Sequence, residues 1–294
     1  MSQAPSPQQP DAEHLRRRAS FDSAAELYDA ARPAYPEELF EDLVALTGLH
    51  ADSSILEVGS GTGKATLPLA RRGFHILGIE LGEHLAALAR AKLAGYPQAR
   101  IDVDNFETWP APEGRFDVAV SASAWHWIDP AIGYPKIARA LRPRGFFALM
   151  WNRQQRSDTT DQQNTAQSSG ASDQDNTSQA AFSQALQEVI QQVAPGLAGN
   201  RLGRAGAGHQ QFRRDGLLAA SEFFETPVVR SYAWETTYDA ANYLRLLDSY
   251  SSYRVLDPSV RDRLFTRIAE MIDSRFNGRV IRQWQTELYI AQRR

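Results

Sequence analysis

Three glycines at alternate positions follow a short apolar run, and this turn constrains the fold more than any other stretch of the sequence. Residues 55–58 predict a buried strand, Gly59, Gly61 and Gly63 form the turn, and residues 64–67 predict the start of a helix. Glycine reaches backbone conformations that other residues avoid, and its bare Cα lets the main chain approach a ligand. A helix start offers free N–H groups to that ligand. The turn therefore predicts a ligand site.

Two common nucleotide-binding motifs do not fit this turn. A phosphate-binding P-loop needs glycine, four residues and then Gly-Lys-Ser/Thr, but Val58 and Ala65 stand where the first glycine and the hydroxyl should be. A dinucleotide fingerprint needs G-x-G-x-x-G, and here the third glycine comes one residue too early. That fingerprint also tends to have an apolar residue where this sequence has Glu57, because a carboxylate repels a pyrophosphate. Glu57 instead suits a ligand that carries positive charge.

The order acid-x-Gly-x-Gly-x-Gly at a strand end resembles the first motif of class I S-adenosylmethionine (AdoMet) methyltransferases. The resemblance implies that Glu57 acts near the cationic methionine part of AdoMet and that Gly59, Gly61 and Gly63 line the cofactor. A second predicted strand ends in Glu80, roughly 20 residues after the glycines. A carboxylate at that place can accept hydrogen bonds from both ribose hydroxyls side by side.

Further segments extend the resemblance in the same order along the chain. The segment that holds Tyr28 and Arg32, broken by two prolines, resembles an N-terminal lid that folds over AdoMet, and both residues would reach the methionine carboxylate. After the third strand, Asn105 would hold the adenine amine and the backbone of Phe106 a ring nitrogen. The family usually has Asp where Asn105 stands, and the neighbouring Asp104 is an alternative. Ser121, in the fourth strand, is a further expected cofactor contact.

His126 stands between two tryptophans directly after the fourth strand, where α/β sheets open for ligands. A histidine there can take a proton from a hydroxyl, amine or acid that is to be methylated. Alternatively, Trp125 and Trp127 are core residues and His126 is a satisfied polar group, because methyl transfer often needs only alignment. We expect His126 to be a general base or to orient the substrate, with Trp125, Trp127 and Trp151 on the substrate side.

The resemblance covers residues 28–151 and predicts an α/β fold: a Rossmann-like, seven-stranded, mostly parallel sheet with an antiparallel edge hairpin and a helical cap. Between residues 154 and 180 no apolar side chain is larger than alanine, which predicts a disordered loop. The expected divisions are a disordered tail (1–12), lid helices (13–50), the AdoMet-binding core (51–152), the polar loop (153–180), and the rest of the sheet with the cap (181–294).

Composition narrows the function further. The absence of cysteine excludes disulfides, thiolate metal sites and cysteine nucleophiles, and we expect no metal. A formal net charge of −3 argues against a nucleic-acid partner, although residues 16–18 are all arginine. The sequence has no apolar run long enough to span a membrane and no secretory signal, which predicts a cytoplasmic protein.

These features predict an AdoMet-dependent methyltransferase that acts on a small molecule and releases S-adenosylhomocysteine. Residues 124–127, Ala-Trp-His-Trp, resemble methyltransferases of the trans-aconitate and natural-product type. That resemblance implies transfer to an oxygen, in a carboxyl or hydroxyl group of an apolar or aromatic metabolite. Two alternatives stay open: a tRNA or protein methyltransferase, and an AdoMet-binding protein without activity.

Overall fold

A seven-stranded sheet forms the centre of the computed structural model, which describes Asp22 and residues 25–154, 173–199 and 221–294. The strands are β1 (Ser54–Val58), β2 (His75–Glu80), β3 (Ala99–Val103), β4 (Phe116–Ala122), β5 (Leu141–Gln154), β6 (Val228–Asp239) and β7 (Arg279–Gln292). Their order is β3-β2-β1-β4-β5-β7-β6. The pairs from β3 to β5 are parallel, and β7 runs antiparallel to both β5 and β6. The predicted α/β fold class, with its antiparallel edge hairpin, is confirmed.

The central strands are apolar along most of their length because helices cover both faces of the sheet. Ile55 of β1 points into one core cluster, while Leu56 and Val58 point into the other. β6, at the edge, has exposed residues along most of its length. In a sheet of this order, the chain leaves β1 toward β2 on one side and returns through β4 on the other. The carboxyl ends of β1 and β4 therefore flank the crevice where such sheets bind ligands.

Ten helices are assigned within the described ranges. They are α1 (Ala25–Ala31), α2 (Glu37–Thr47), α3 (Thr66–Arg71), α4 (Glu83–Lys92), α5 (Pro130–Ala140), α6 (Asp173–Val193), α7 (Pro195–Gly199), α8 (Ala240–Asp248), α9 (Ser251–Arg254) and α10 (Pro258–Arg275). None of them is both long and apolar enough to cross a lipid bilayer.

Aspartate side chains start three of these helices. Asp129 accepts a hydrogen bond from the backbone N–H of Ala131, and Asp239 accepts one from Asn242, so each covers a free donor of the first turn. Asp257 does the same for α10. In α5 and α10 a proline follows the cap, where its fixed φ suits the first helical position. The local sequence thus defines where these helices begin.

The cap consists of α6, α8, α9 and α10, and the last three are inserted between β6 and β7. Its core joins Phe182 and Ile190 of α6 to Leu246 of α8 and to Leu264 and Ile268 of α10. Trp284 of β7 belongs to the same cluster. The cap is therefore built on the antiparallel hairpin, beyond the carboxyl end of β5.

Two boundaries differ from the prediction. Residues 153–154 belong to β5 and α6 begins at Asp173, so the bounds predicted for the polar loop, 153–180, are too wide at both ends. The first turns of α6 are polar, so the hydrophobic period that reveals the helix starts only at Phe182. The start of β5, residues 141–145, is irregular: the register against β4 shifts there, and Arg144 has a φ of 63°.

Several predicted segments lie outside the described residues. These are the tail at 1–12, the first part of the lid helices at 13–50, and residues 155–172 of the polar loop. The sequence also predicts a glycine-rich run at 199–208 and a helix at 214–221, of which only residues 199 and 221 are described.

Candidate functional site

The glycine turn after β1 requires glycine for two separate reasons. Gly59, Gly61 and Gly63 all have left-handed backbone, with φ of 71°, 55° and 80°. At Gly59 a side chain is also excluded by contact, because a Cβ there would lie 2.4 Å from Cβ of Ala124. Gly61 has open space around its Cα. Gly59 thus lets the turn after β1 touch the segment that follows β4, and Gly61 leaves backbone exposed for a ligand.

Glu57 is the buried acid of the site. Its side chain is fully buried in β1, and Oε2 accepts a 2.6 Å hydrogen bond from the hydroxyl of Thr66. Burial raises the pKa of Glu57 to about 8, the hydroxyl of Thr66 opposes this, and the nearby charge of Glu80 adds to it. The other oxygen, Oε1, is buried and has no hydrogen-bond partner among the described residues. A buried acceptor without a donor fits a cationic or N–H group supplied by a ligand.

Glu80 ends β2 and closes the glycine turn. Its Oε2 accepts a hydrogen bond from the N–H of Gly61 at 2.7 Å, and its Oε1 accepts one from Gly82 at 2.9 Å. Burial raises the pKa of Glu80, although these backbone donors act in the opposite direction. Each carboxylate oxygen can accept a further hydrogen bond, so this position is compatible with the predicted contact to a ribose diol.

The loop after β3 contains the predicted adenine contacts. The side-chain oxygen of Asn105 accepts from the N–H of Glu107 at 3.1 Å, while Asp104 accepts from the N–H of Asn105 at 2.7 Å. Both side chains therefore shape the loop. Phe106 is buried against Trp109, with ring centroids 6.4 Å apart. The structure places Asn105 and Phe106 beside the carboxyl ends of β2 and β3, on the same edge of the sheet as Glu80.

Lys136 of α5 holds this loop in place, and sequence reasoning missed it. Its buried ammonium group donates to the carbonyl oxygens of Phe106, Glu107 and Trp109 at 2.8–2.9 Å. An ammonium group has three donors, so all of them are satisfied by one loop. The signal in the sequence is a lysine on the apolar face of a predicted helix. A lysine that is buried there needs hydrogen-bond acceptors from another part of the chain.

The lid consists of α1 and the following segment up to Pro36, and it brings Tyr28 and Arg32 to the site. The guanidinium of Arg32 lies 3.8 Å from the ring centroid of Tyr250 and 5.5 Å from that of Tyr28. Its Nη2 donates to the carbonyl of Ser249 at 3.2 Å, while Nε is buried without a partner among the described residues. Burial raises the pKa of Tyr28, which also interacts electrostatically with Arg32 and Glu80. The lid therefore contacts the cap and approaches the end of β2.

Asp29 connects the lid to the glycine turn, a role that no sequence pattern indicates. Its carboxylate accepts hydrogen bonds from Lys92 and from the hydroxyl of Thr62, and Lys64 donates to its backbone carbonyl at 2.7 Å. Partial burial raises the pKa of Asp29, but the bonds from Lys92 and Thr62 outweigh it, so the pKa lies below its ordinary value. One carboxylate thus ties α1 to the turn and to α4.

A second lid contact involves Tyr35, whose hydroxyl lies 2.9 Å from that of Ser123. Burial raises the pKa of Tyr35 well above its ordinary value. Ser123 has a φ of 56°, in the left-handed region, directly after β4.

The predicted cofactor residue Ser121 is different: it is fully buried and donates to the carbonyl of Val58 at 2.8 Å. Ser121 joins β4 to β1, which corrects the expectation that its side chain contacts the cofactor.

The aromatic segment after β4 forms a 3₁₀ turn, Trp125–Trp127. Trp125 is fully buried, and its ring centroid lies 4.7 Å from that of Phe147 and 5.4 Å from that of Tyr134. It is a core residue, so the expectation that it faces the substrate is wrong. His126 and Trp127 are half-buried, with ring centroids 4.9 Å apart.

Trp151, near the carboxyl end of β5, is also half-buried and packs edge-on against Tyr289 at 5.6 Å. The structure therefore places two of the three predicted substrate tryptophans, and His126, at the carboxyl side of the central strands.

Comparison with known proteins agrees with this geometry. Residues 56–149 match a family model described as a methyltransferase domain. An uncharacterized methyltransferase of Mycobacterium tuberculosis is 36% identical over 133 residues, which cover 45% of this chain and 52% of that protein. One from Schizosaccharomyces pombe is 28% identical over 126 residues, covering 42% of this chain and 49% of that protein. The chain thus spans about half the length of the curated relatives it matches.

A solved structure supports the fold over a longer range. The proposed type II methyltransferase of Anaeromyxobacter dehalogenans superposes with a TM-score of 0.57 at 19% identity, covering 88% of this chain and 97% of that one. At this identity the likeness concerns the fold alone. The family match contains most of β1, the glycine turn, Glu80 and most of β5. Residues 56–149 therefore match a methyltransferase domain within a fold of the class I type, and AdoMet is the cofactor of such domains.

The role of Lys136 can be tested with Lys136→Met. Loss of the ammonium leaves three carbonyl oxygens without their donor, so we expect the free energy of unfolding to fall by about 2–4 kcal/mol. The affinity for S-adenosylhomocysteine should fall as well, because the loop that is predicted to hold the adenine loses its anchor. Arg139→Met, which changes an exposed residue of the same helix, should alter neither. Chemical denaturation and calorimetry provide the two measurements, and an unchanged stability of Lys136→Met would contradict this role.

Proposed function

We propose that the whole chain transfers a methyl group from AdoMet to a small-molecule acceptor, with an oxygen as the attacking atom. The observation that carries this proposal is the buried carboxylate of Glu57, whose Oε1 lacks a donor. Arg32 supports it with the opposite charge, because its Nε is also buried and has no hydrogen-bond partner in the part of the chain that the structure describes. The methionine end of AdoMet offers both an ammonium and a carboxylate, which these two groups suit.

The residues of the chain would hold the cofactor along the carboxyl edge of the sheet. Glu57 and Arg32 would hold its methionine end, Glu80 would accept from the ribose, and the loop anchored by Lys136 would contact the adenine. When bound, AdoMet supplies a methyl group on a sulfonium, which an oxygen can attack directly. The chain then contributes alignment and the exclusion of water by the lid and the cap.

On the acceptor side we assign the base role to His126. A ring nitrogen of His126 would take the proton of an acceptor hydroxyl as the oxygen attacks, whereas an ionised carboxylate acceptor needs only orientation. Trp127 and Trp151 would provide apolar surface for the acceptor. A small molecule is favoured over a nucleic acid or protein by the net charge of −3 and by the cap beside the carboxyl end of β5.

Cofactor binding is tested by calorimetry with AdoMet and S-adenosylhomocysteine on the full chain. We expect both to bind, and Glu80→Ala to weaken binding by about 1–3 kcal/mol, because hydrogen bonds to a charged acceptor are lost. Glu113→Ala, an exposed change before β4, serves as the control. If neither ligand binds the wild type, the proposed function is wrong. If both bind but no acceptor among carboxylic acids and phenols is methylated, an AdoMet-binding protein without activity becomes the better reading.

The pH dependence of binding tests Glu57. With its pKa raised to about 8, Glu57 must lose a proton before it can stabilise a cationic ligand. The affinity for AdoMet should therefore rise between pH 6 and pH 8, by up to about tenfold per pH unit, and level off above pH 8.

Glu57→Gln is the matched control for this profile. The variant should bind weakly and lose the part of the slope that belongs to Glu57, while ionisation of AdoMet itself contributes equally to both proteins. The role of Glu57 is refuted by equal slopes in the variant and the wild type.

His126→Ala separates catalysis from binding. With an acceptor found by screening, we expect kcat to fall by about a hundredfold or more if a hydroxyl is methylated, with AdoMet affinity retained. His75→Ala, an exposed change at the start of β2, should leave kcat unchanged. Loss of folding or of AdoMet binding in His126→Ala would instead assign His126 a structural role.

A further inference from the structure

Arg282 is a buried cation between the sheet and the cap. It lies on β7, on the same face as Val280 and Trp284, which both belong to the cap core. Only 6% of its surface is exposed. Arginine is almost never buried to this extent unless its charge is paired, so the surroundings of Arg282 call for an explanation.

The contacts of Arg282 leave its charge without a counter-ion. With the amide of Gln154 oriented so that its oxygen faces the arginine, that oxygen accepts from both Nε and Nη2. The guanidinium lies 5.4 Å from the ring centroid of Phe182, as in a cation–π contact. Among the described residues, Nη1 is buried without a hydrogen-bond partner and Arg282 forms no ion pair. The neutral amide and the ring satisfy only part of this group.

A chain of tyrosines connects Arg282 to the proposed cofactor site. The ring of Phe182, which faces Arg282, lies 5.2 Å from the ring of Tyr243, and Tyr243 packs in one cap cluster with Tyr253 and Tyr250. The guanidinium of Arg32 in turn lies over the ring of Tyr250, as in a cation–π contact. Aromatic surface therefore extends from the arginine expected at the methionine end of AdoMet to the arginine inside the cap.

We propose that Arg282 binds the carboxylate of the methyl acceptor, an organic acid with an apolar or aromatic body. A guanidinium recognises a carboxylate through charge-assisted hydrogen bonds, and Nη1 is the donor left for it. The rings of Phe182, Tyr243 and Tyr253 would contact the body of the acid. The inference rests on the proposed function, because it identifies the class of acceptor for the same site.

The first test compares thermal stability without ligand. A buried guanidinium that lacks a counter-ion is unfavourable, so Arg282→Met should raise the Tm of the full chain. Arg279→Met, an exposed change on the same strand, should leave the Tm close to that of the wild type. A lower Tm for Arg282→Met would show that the arginine is a structural residue and would overturn the proposal.

The second test measures carboxylate binding with benzoate and hexanoate, each beside its neutral amide, in protein saturated with S-adenosylhomocysteine. We expect the acids to bind the wild type at least about tenfold more tightly than the amides, and this preference to disappear in both Arg282→Met and Arg282→Gln. Equal binding of acid and amide by the wild type, or a preference that survives in the variants, would overturn the proposal. Failure of S-adenosylhomocysteine to bind would instead refute the proposed function, and the acids are then compared without it.

Discussion

The close approach of Gly59 to Ala124 is the contact on which the rest of the site depends. It brings the carboxyl ends of β1 and β4 together, at a separation that no side chain at residue 59 would allow. Glu57 precedes this contact in β1, and His126 follows it beyond β4. The hydrogen bond between Ser123 and Tyr35 then joins the lid to the same point. One backbone contact therefore sets the relative positions of the buried acid, the candidate base and the lid.

The site holds acidic groups that stabilise the unliganded protein poorly. For Glu57 the pKa of the folded state lies above that of the unfolded chain, so its contribution to stability is present at low pH and is lost as the pH rises toward 8. Glu80 shifts in the same direction. A cationic ligand would reverse this balance by favouring the charged form of Glu57. Asp29 differs, because Lys64 and Lys92 compensate it within the protein. Asp29, whose charge is paired within the protein, therefore holds the lid, whereas Glu57, which has no basic partner among the described residues, belongs to the proposed ligand site.

The sequence predicts the parallel half of the fold well because its signals are local. Strands buried on both faces produce continuous apolar runs, and Glu57 and Glu80 stand at or near strand ends, where position follows from the strand itself. Lys136 and Asp29 were missed because their partners are distant in sequence and adjacent only in the folded chain. The same limit applies to Trp125 and to Ser121, whose residue types permit either a core or a site position. Only the packing around them decides.

The electrostatic arrangement of the proposed cofactor site recurs in the cap, where we propose that the acceptor binds. Glu57 is a buried group with one atom left without a partner in the core, and Arg282 is another in the cap. Both lie among groups that satisfy them only in part: a single hydroxyl for Glu57, an amide and an aromatic ring for Arg282. Their charges are opposite, which suits a cationic cofactor at one end and an anionic acceptor at the other. Since either charge is unfavourable alone, the closed arrangement of lid and cap would be most stable when both ligands are present.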